Sequence, residues 1–86
     1  MMSMDCDVFI IMGVDECGDE FRWNDEEYLF PTDLITDEEG YHTYTYLAWE
    51  DETLSKVRGE YPEAQGCFLV NLSAQKRYAR AMARMW

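Results

Sequence analysis

The sequence predicts one α+β domain over residues 1–86, with antiparallel strands at the N-terminus followed by a βαβα segment. Two short apolar runs, an acid-led helical pattern between them and a two-sided final stretch carry that reading. A chain of 86 residues has room for one domain. At 48% hydrophobic and 15% aromatic residues it is too apolar for a disordered acidic tail, in spite of a net charge of −11.

The run VFIIMGV at 8–14 is short, β-branched and apolar on both alternating faces, which predicts a central strand covered on both sides. Polar turn chemistry follows at 15–19, and Glu20 to Trp23 return as the second strand of a hairpin. Residues 24–36 allow two readings. One is a short helix capped by Asn24 or Asp25, with acids in its first turn; the other is a strand ending at Pro31. Residues 37–40 form a loop. The stretch YHTYTYLAW at 41–49 predicts a strand, because Tyr, Thr and Trp favour a pleated surface. Glu50, Asp51 and Glu52 then open a helix where its dipole favours acids. Leu54, Val57 and Tyr61 keep helical spacing, Glu52 and Lys56 form an i,i+4 pair, and Pro62 stops the helix.

A second two-faced apolar run, GCFLVNL at 66–72, completes a βαβ unit long enough for a parallel crossover. Ser73 reads as the N-cap of a basic amphipathic helix over 73–86. At about 100° per residue, Ala74, Tyr78, Met82, Met85 and Trp86 share one side, expected to pack on the sheet. Lys76, Arg77, Arg80 and Arg84 share the other, expected to face solvent. The predicted core is Val8, Phe9, Ile10, Ile11, Leu47, Trp49, Phe68, Leu69 and Val70.

Charge is the strongest functional signal. All 18 acidic residues lie between Asp5 and Glu63, against Arg22, Lys56 and Arg58, a net of −15. From Ala64 onward there are four basic residues and no acids, a net of +4. Such an imbalance governs partners and association rates rather than fold. The acids cluster as Asp15/Glu16/Asp19/Glu20, Asp25/Glu26/Glu27, Asp37/Glu38/Glu39 and Glu50/Asp51/Glu52, all at predicted loops or helix starts and so expected to be exposed. Ordinary solubility calls for less charge than this. The functional reading is that these 13 carboxylates contact a partner in place of phosphates, since a DNA-binding groove is lined with matching cations. For the basic helix the bland reading is a solvated outer face. Phosphate binding is opposed by the net charge, and docking on an acidic or apolar patch is the third reading.

The chemistry-bearing alternatives are weak. Read as an EF-hand loop from Asp15, the chain puts Cys17 at position 3, Glu20 at position 6 and Glu26 at position 12, so the required Gly is missing. Cys6, Cys17, Cys67 and His42 would make a zinc set by count, but no two have the usual spacing; buried structural thiols are the expectation. His42 is the only histidine, and no local context singles out a nucleophile beside it. Gly-rich phosphate loops are absent. Tyr41, His42, Tyr44 and Tyr46 could stack nucleobases on an open sheet, but acids bracket them.

Three cysteines cannot all pair within one chain, which argues for a reducing compartment. The N-terminus lacks the positive charge of a secretion signal, and no stretch approaches the roughly 18 apolar residues of a membrane span, so the expected place is the cytoplasm. The sequence thus predicts a non-catalytic interaction protein without cofactor or metal. It is expected to bind and block a basic, nucleic-acid-binding surface of a larger protein, with no direct nucleic-acid or membrane contact. In composition alone, such small acidic chains are similar to phage-encoded inhibitors of host defence, anti-CRISPR or anti-restriction proteins, although no motif carries the likeness. The alternative is a regulatory or accessory subunit docking through its C-terminal helix.

Overall fold

The computed structural model describes residues 5–60 and 66–84. It is an α+β fold: an antiparallel sheet of four strands and two helices, in the order β1 (Cys6–Val14), β2 (Glu20–Arg22), β3 (Tyr28–Pro31), α1 (Tyr44–Glu60), β4 (Gly66–Asn71) and α2 (Leu72–Arg84). Strands come first, then helix, strand, helix. Together β3, α1, β4 and α2 form the expected βαβα segment, with β3 as its opening strand.

β1 is central. Along one edge it pairs antiparallel with β4, from Phe9↔Asn71 to Val14↔Gly66. Along the other it pairs with β2 (Met12↔Arg22, Gly13↔Phe21, Val14↔Glu20) and then β3 (Cys6↔Pro31 to Phe9↔Tyr28). The Trp23 N–H donates to Ile11 O at 2.9 Å, which carries that edge on past β2. Both β3 and β4 run opposite to β1, so they are parallel to each other with β1 between them. The predicted crossover is therefore split: α1 joins two parallel strands that do not touch.

Residues 24–36, ambiguous in the sequence, contain strand β3 and a 3-10 turn over Thr32–Leu34. The stretch 41–49 is not a strand. Tyr44 to Trp49 form the first turns of α1, which starts six residues before Glu50. Thr43 caps it: its Oγ1 accepts the Tyr46 N–H at 3.2 Å and donates to Leu34 O. Helix wins over local strand propensity because Tyr46, Trp49, Leu54 and Val57 then fall on one side and meet the sheet.

Two adjoining clusters form the core. Phe9, Phe30 and Tyr46 pack with Tyr28, Ile35, Trp49 and Leu69; Ile11, Leu54 and Val57 pack with Trp23, Cys67 and Leu69. The Trp49 ring lies 5.2 Å from Phe9 and 4.7 Å from Phe30, centroid to centroid. All of these sheet residues belong to one face, that of the odd-numbered β1 side chains. Gly13 belongs to it too: a Cβ there would come within 2.8 Å of the Phe21 and Trp23 rings, so only glycine lets them cross β1. The other face buries Ile10, while Val8, Met12, Val14, Phe68 and Val70 around it are half-buried. Leu47, expected in the core, is exposed on α1.

α2 departs from expectation most. Its cap is Asn71, whose Oδ1 accepts the Ala74 N–H at 2.9 Å, and not Ser73, whose Oγ accepts the Val8 N–H from the β1 edge. From Gln75 to Arg84 every residue is exposed. Tyr78 is 68% exposed and Met82 38%, so this side of the helix does not pack on the sheet. Arg77, expected in solvent, binds a buried acid on β1. Met85 and Trp86, and the predicted helix end at Tyr61 and Pro62, lie outside the described residues.

Candidate functional site

Twelve of the 13 clustered carboxylates line up with turns, loops or α1 as exposed or partly exposed groups, and two turns present them in the same way. At 15–19 (DECGD) and 37–41 (DEEGY) an Asp leads and a Gly stands fourth. Gly18 has φ +85° and Gly40 φ +90°, a region where a side chain is strained. In each turn the leading Asp Oδ1 accepts two backbone N–H groups: Cys17 and Asp19 for Asp15, Glu39 and Tyr41 for Asp37, at 2.9–3.0 Å. The two Asp residues thus build the turns, while Glu16, Asp19 and Glu20, and Glu38 and Glu39, are held out in solvent.

The other two clusters differ. Between β2 and β3, Glu26 Oε2 accepts the Tyr28 hydroxyl at 3.0 Å, and Asp25 and Glu27 are exposed. Glu50, Asp51 and Glu52 do not start a helix; they lie in the middle of α1, with Glu50 half-buried on the Tyr46 side and Asp51 and Glu52 exposed. Glu50 Oε2 accepts the Tyr46 hydroxyl at 3.0 Å. Burial, then Glu50, push the Tyr46 hydroxyl up to about 12.

Charge is hardly balanced inside the molecule. Among the described residues the ion pairs are Lys56–Glu52, a loose contact of 3.8 Å between exposed side chains, and Arg77–Asp7. The first of these adds little. No other described carboxylate has a Lys or Arg within ion-pair distance. The turn at 15–19 leaves the Val14 end of β1 and the one at 37–41 lies past β3, which ends beside Cys6.

The residue that sequence reasoning missed is Asp7, 2% exposed. Its Oδ1 accepts the Thr32 hydroxyl at 2.6 Å and Arg77 Nη1 at 3.0 Å; its Oδ2 accepts Asn71 Nδ2 at 2.8 Å and Arg77 Nη2 at 2.9 Å. The bidentate Arg77 bonds lead in holding this carboxyl well below the usual carboxylate range. Thr32 and Asn71 help, and burial opposes them. One acid thereby ties β1, the turn after β3, the end of β4 and α2 together. An isolated Asp before an apolar run gives no sign of such a role, and its partners lie 25 to 70 residues away.

Beside this network is a cleft of about 370 Å³ lined by Phe9, Thr36, His42, Tyr46 and Arg77, among others. His42 is exposed in the loop before α1, bridged to Thr36, with its ring 4.8 Å from that of Tyr46. The carboxylate at the cleft's base is already occupied by three side chains. The thiols are not the buried ones expected: Cys6 and Cys17 are exposed and Cys67 is half-buried, its Sγ 3.9 Å from Leu54 O. Among the described residues no group of three or more His, Cys, Asp or Glu gathers in metal-ligand fashion, and no helix is long and apolar enough to cross a membrane.

Compared with known protein families, with curated proteins and with solved structures, the chain matches none.

Proposed function

We propose that this protein binds a basic surface on a larger protein, of the kind that holds nucleic acid, and blocks it. The observation behind this reading is the uncompensated acid: two turns and a helix hold carboxylates in solvent, and among the described residues only Glu52, through its loose contact with Lys56, meets a cation there. Carboxylates fixed on turns lose little entropy on meeting cations, and their field speeds encounter. A rigid acidic body suits a groove built for DNA. Three cysteines without an even pairing scheme suit a reducing, cytoplasmic setting. An inhibitor of a nucleic-acid-handling host defence system is the biological role such chemistry serves.

The experiment is retention of lysate proteins on the immobilised chain, eluted by rising salt, with Glu38→Lys/Glu39→Lys as the control. Wild type should retain a basic protein that elutes as screening sets in over a Debye length of about 8 Å. The variant should retain far less. Equal retention by both, or elution that ignores salt, would refute the reading.

A second reading rests on a specific observation: the exposed stretch Gln75–Arg84, with Tyr78 and Met82 on one side and Lys76, Arg80 and Arg84 on the other. An accessory subunit docking through α2 would present this helix. Lys76→Glu/Arg80→Glu then abolishes partner retention, whereas under the main reading it strengthens or spares it.

A further inference from the structure

We infer, on the reading just proposed, that arginine side chains of the basic partner stack on Tyr41 and Tyr44 at the start of α1, with Glu38, Glu39 and Asp51 pairing their charge. A helix packed on a sheet needs one apolar side, and α1 has it in Tyr46, Leu54 and Val57. At about 100° per residue, Tyr44, Ala48 and Asp51 fall opposite Tyr46 and Val57. That side is polar from Asp51 onward, but in the first two turns it is apolar. Tyr44 is 86% exposed, and Leu47 at its margin is exposed too. Tyr41, 69% exposed, closes the 37–41 turn just ahead of the helix, its carbonyl accepting the Asp37 N–H at 2.9 Å. Exposed Leu34 is brought to the same place by Thr43, whose N–H donates to Ile35 O at 3.0 Å and whose hydroxyl donates to Leu34 O. Large apolar side chains thus stand in solvent around one helix start, where the packing of α1 on the sheet does not require them. Such a patch marks an interaction site.

Charge selects the occupant. No Lys or Arg occurs between Arg22 and Lys56, while Asp33, Glu38, Glu39 and Asp51 are exposed next to these residues or one helical turn on. Among the described residues none of these carboxylates has a cation within ion-pair distance. Together they outweigh the partial positive charge of the helix start. An acidic partner is repelled here. A wholly apolar one would strip water from the carboxylates without pairing them. Arginine answers both halves of the surface: its flat guanidinium lies on a tyrosine face, and its N–H groups reach carboxylates and phenol oxygens. Lysine, compact and strongly hydrated, answers only the charge. Tyrosine inside a charged rim is also the composition in which binding energy concentrates. The carboxylates therefore speed encounter, and the tyrosines discriminate arginine from lysine.

Fluorescence anisotropy of the full chain with labelled oligo-arginine and oligo-lysine peptides of equal length tests this. Wild type should bind the arginine peptide about threefold or more tighter than the lysine peptide. Tyr41→Ser/Tyr44→Ser should erase that preference. Tyr78→Ser on α2, where the ring is as exposed as that of Tyr41, should keep it. Glu38→Lys/Glu39→Lys should weaken both peptides, with unchanged circular dichroism confirming the fold throughout. Equal binding of the two peptides by wild type, or a preference that survives the loss of both tyrosines, overturns the inference and leaves the acidic reading standing. Failure to bind either peptide at low salt overturns both. A wild type that dimerises in sedimentation equilibrium, beside a Tyr44→Ser variant that does not, overturns the inference too, by giving the patch to a second copy.

Discussion

α1 and α2 serve the same face of the sheet and are held there by opposite means. α1 is held by apolar contact: Tyr46, Leu54 and Val57 are buried on Phe9, Phe30 and Ile11, and its polar side faces solvent. α2 is held by polar chemistry at its first two turns, through the Asn71 cap, Ser73 on the β1 edge and the bidentate bond of Arg77 to Asp7; beyond Arg77 nothing of it is buried. The difference teaches that an amphipathic pattern states what a helix could bury and says nothing about what it does bury. It also assigns the two helices different physics. α1 is part of the core and fails only when the fold fails. α2 hangs on one buried ion pair, whose stability depends on protonation.

The largest effect should come from the apolar side. Leu54→Ala in α1 should lower unfolding free energy by about 2–5 kcal/mol, as truncations of buried large side chains do. A urea denaturation series checks this, and a loss under about 1 kcal/mol would mean that α1 is not core.

Next comes the anchor. Arg77→Met leaves the Asp7 carboxylate buried with Thr32 and Asn71 alone, and breaking a buried pair costs about 3–5 kcal/mol. Arg77 is itself 56% exposed on its side chain, so about 2–3 kcal/mol is expected after solvent screening. The sign of the pH dependence follows. The folded-state pKa of Asp7 is depressed, so its contribution is complete above the ordinary value of 3.8 and is lost as pH falls below that. The stability gap between wild type and Arg77→Met should therefore narrow below about pH 4. A gap constant from neutral to strongly acid pH would show that Arg77 contributes packing and not charge.

A smaller effect lies at the alkaline end of α1. The raised Tyr46 pKa stabilises the fold fully below the ordinary value of 10.0, and that contribution is lost as pH rises through about 12. Tyr46→Phe should remove this alkaline loss while costing about 1 kcal/mol at neutral pH through the missing bond to Glu50. Melting temperatures of both chains across alkaline pH make the comparison. The smallest effect belongs to the outer side of α2: Tyr78→Ala should stay within about 0.5 kcal/mol, because its side chain contacts mostly water. A larger loss would show that α2 has a covering partner.

β1, β2 and β4 were legible because their signals are local, whereas β3 was one of two readings of 24–36. The apolar run at 8–14 marks β1, the Asp-led turns mark their own ends, and the antiparallel opening follows from chain proximity. α1 was misread at its start, since tyrosine and threonine at 41–46 look like strand until Tyr46 and Trp49 meet Phe9 and Phe30, which is a tertiary fact. The side of α2 that packs was misread because Arg77 sits among the basic residues on a helical wheel. Its true partner, Asp7, stands 70 residues away in an apolar strand, where a carboxylate has no local reason to be. The acidic clusters were legible as composition. That Asp15 and Asp37 build turns while their neighbours face solvent required the backbone.

The proposed function rests on exposed carboxylates standing in for phosphates, and competition tests that most directly. With the retained partner in hand, a fluorescent DNA duplex bound to it should be displaced by wild type. Displacement should weaken as salt rises and should fall about tenfold or more in potency for Glu38→Lys/Glu39→Lys. A partner that holds the duplex and this protein at the same time, with no displacement at any salt, would contradict the account.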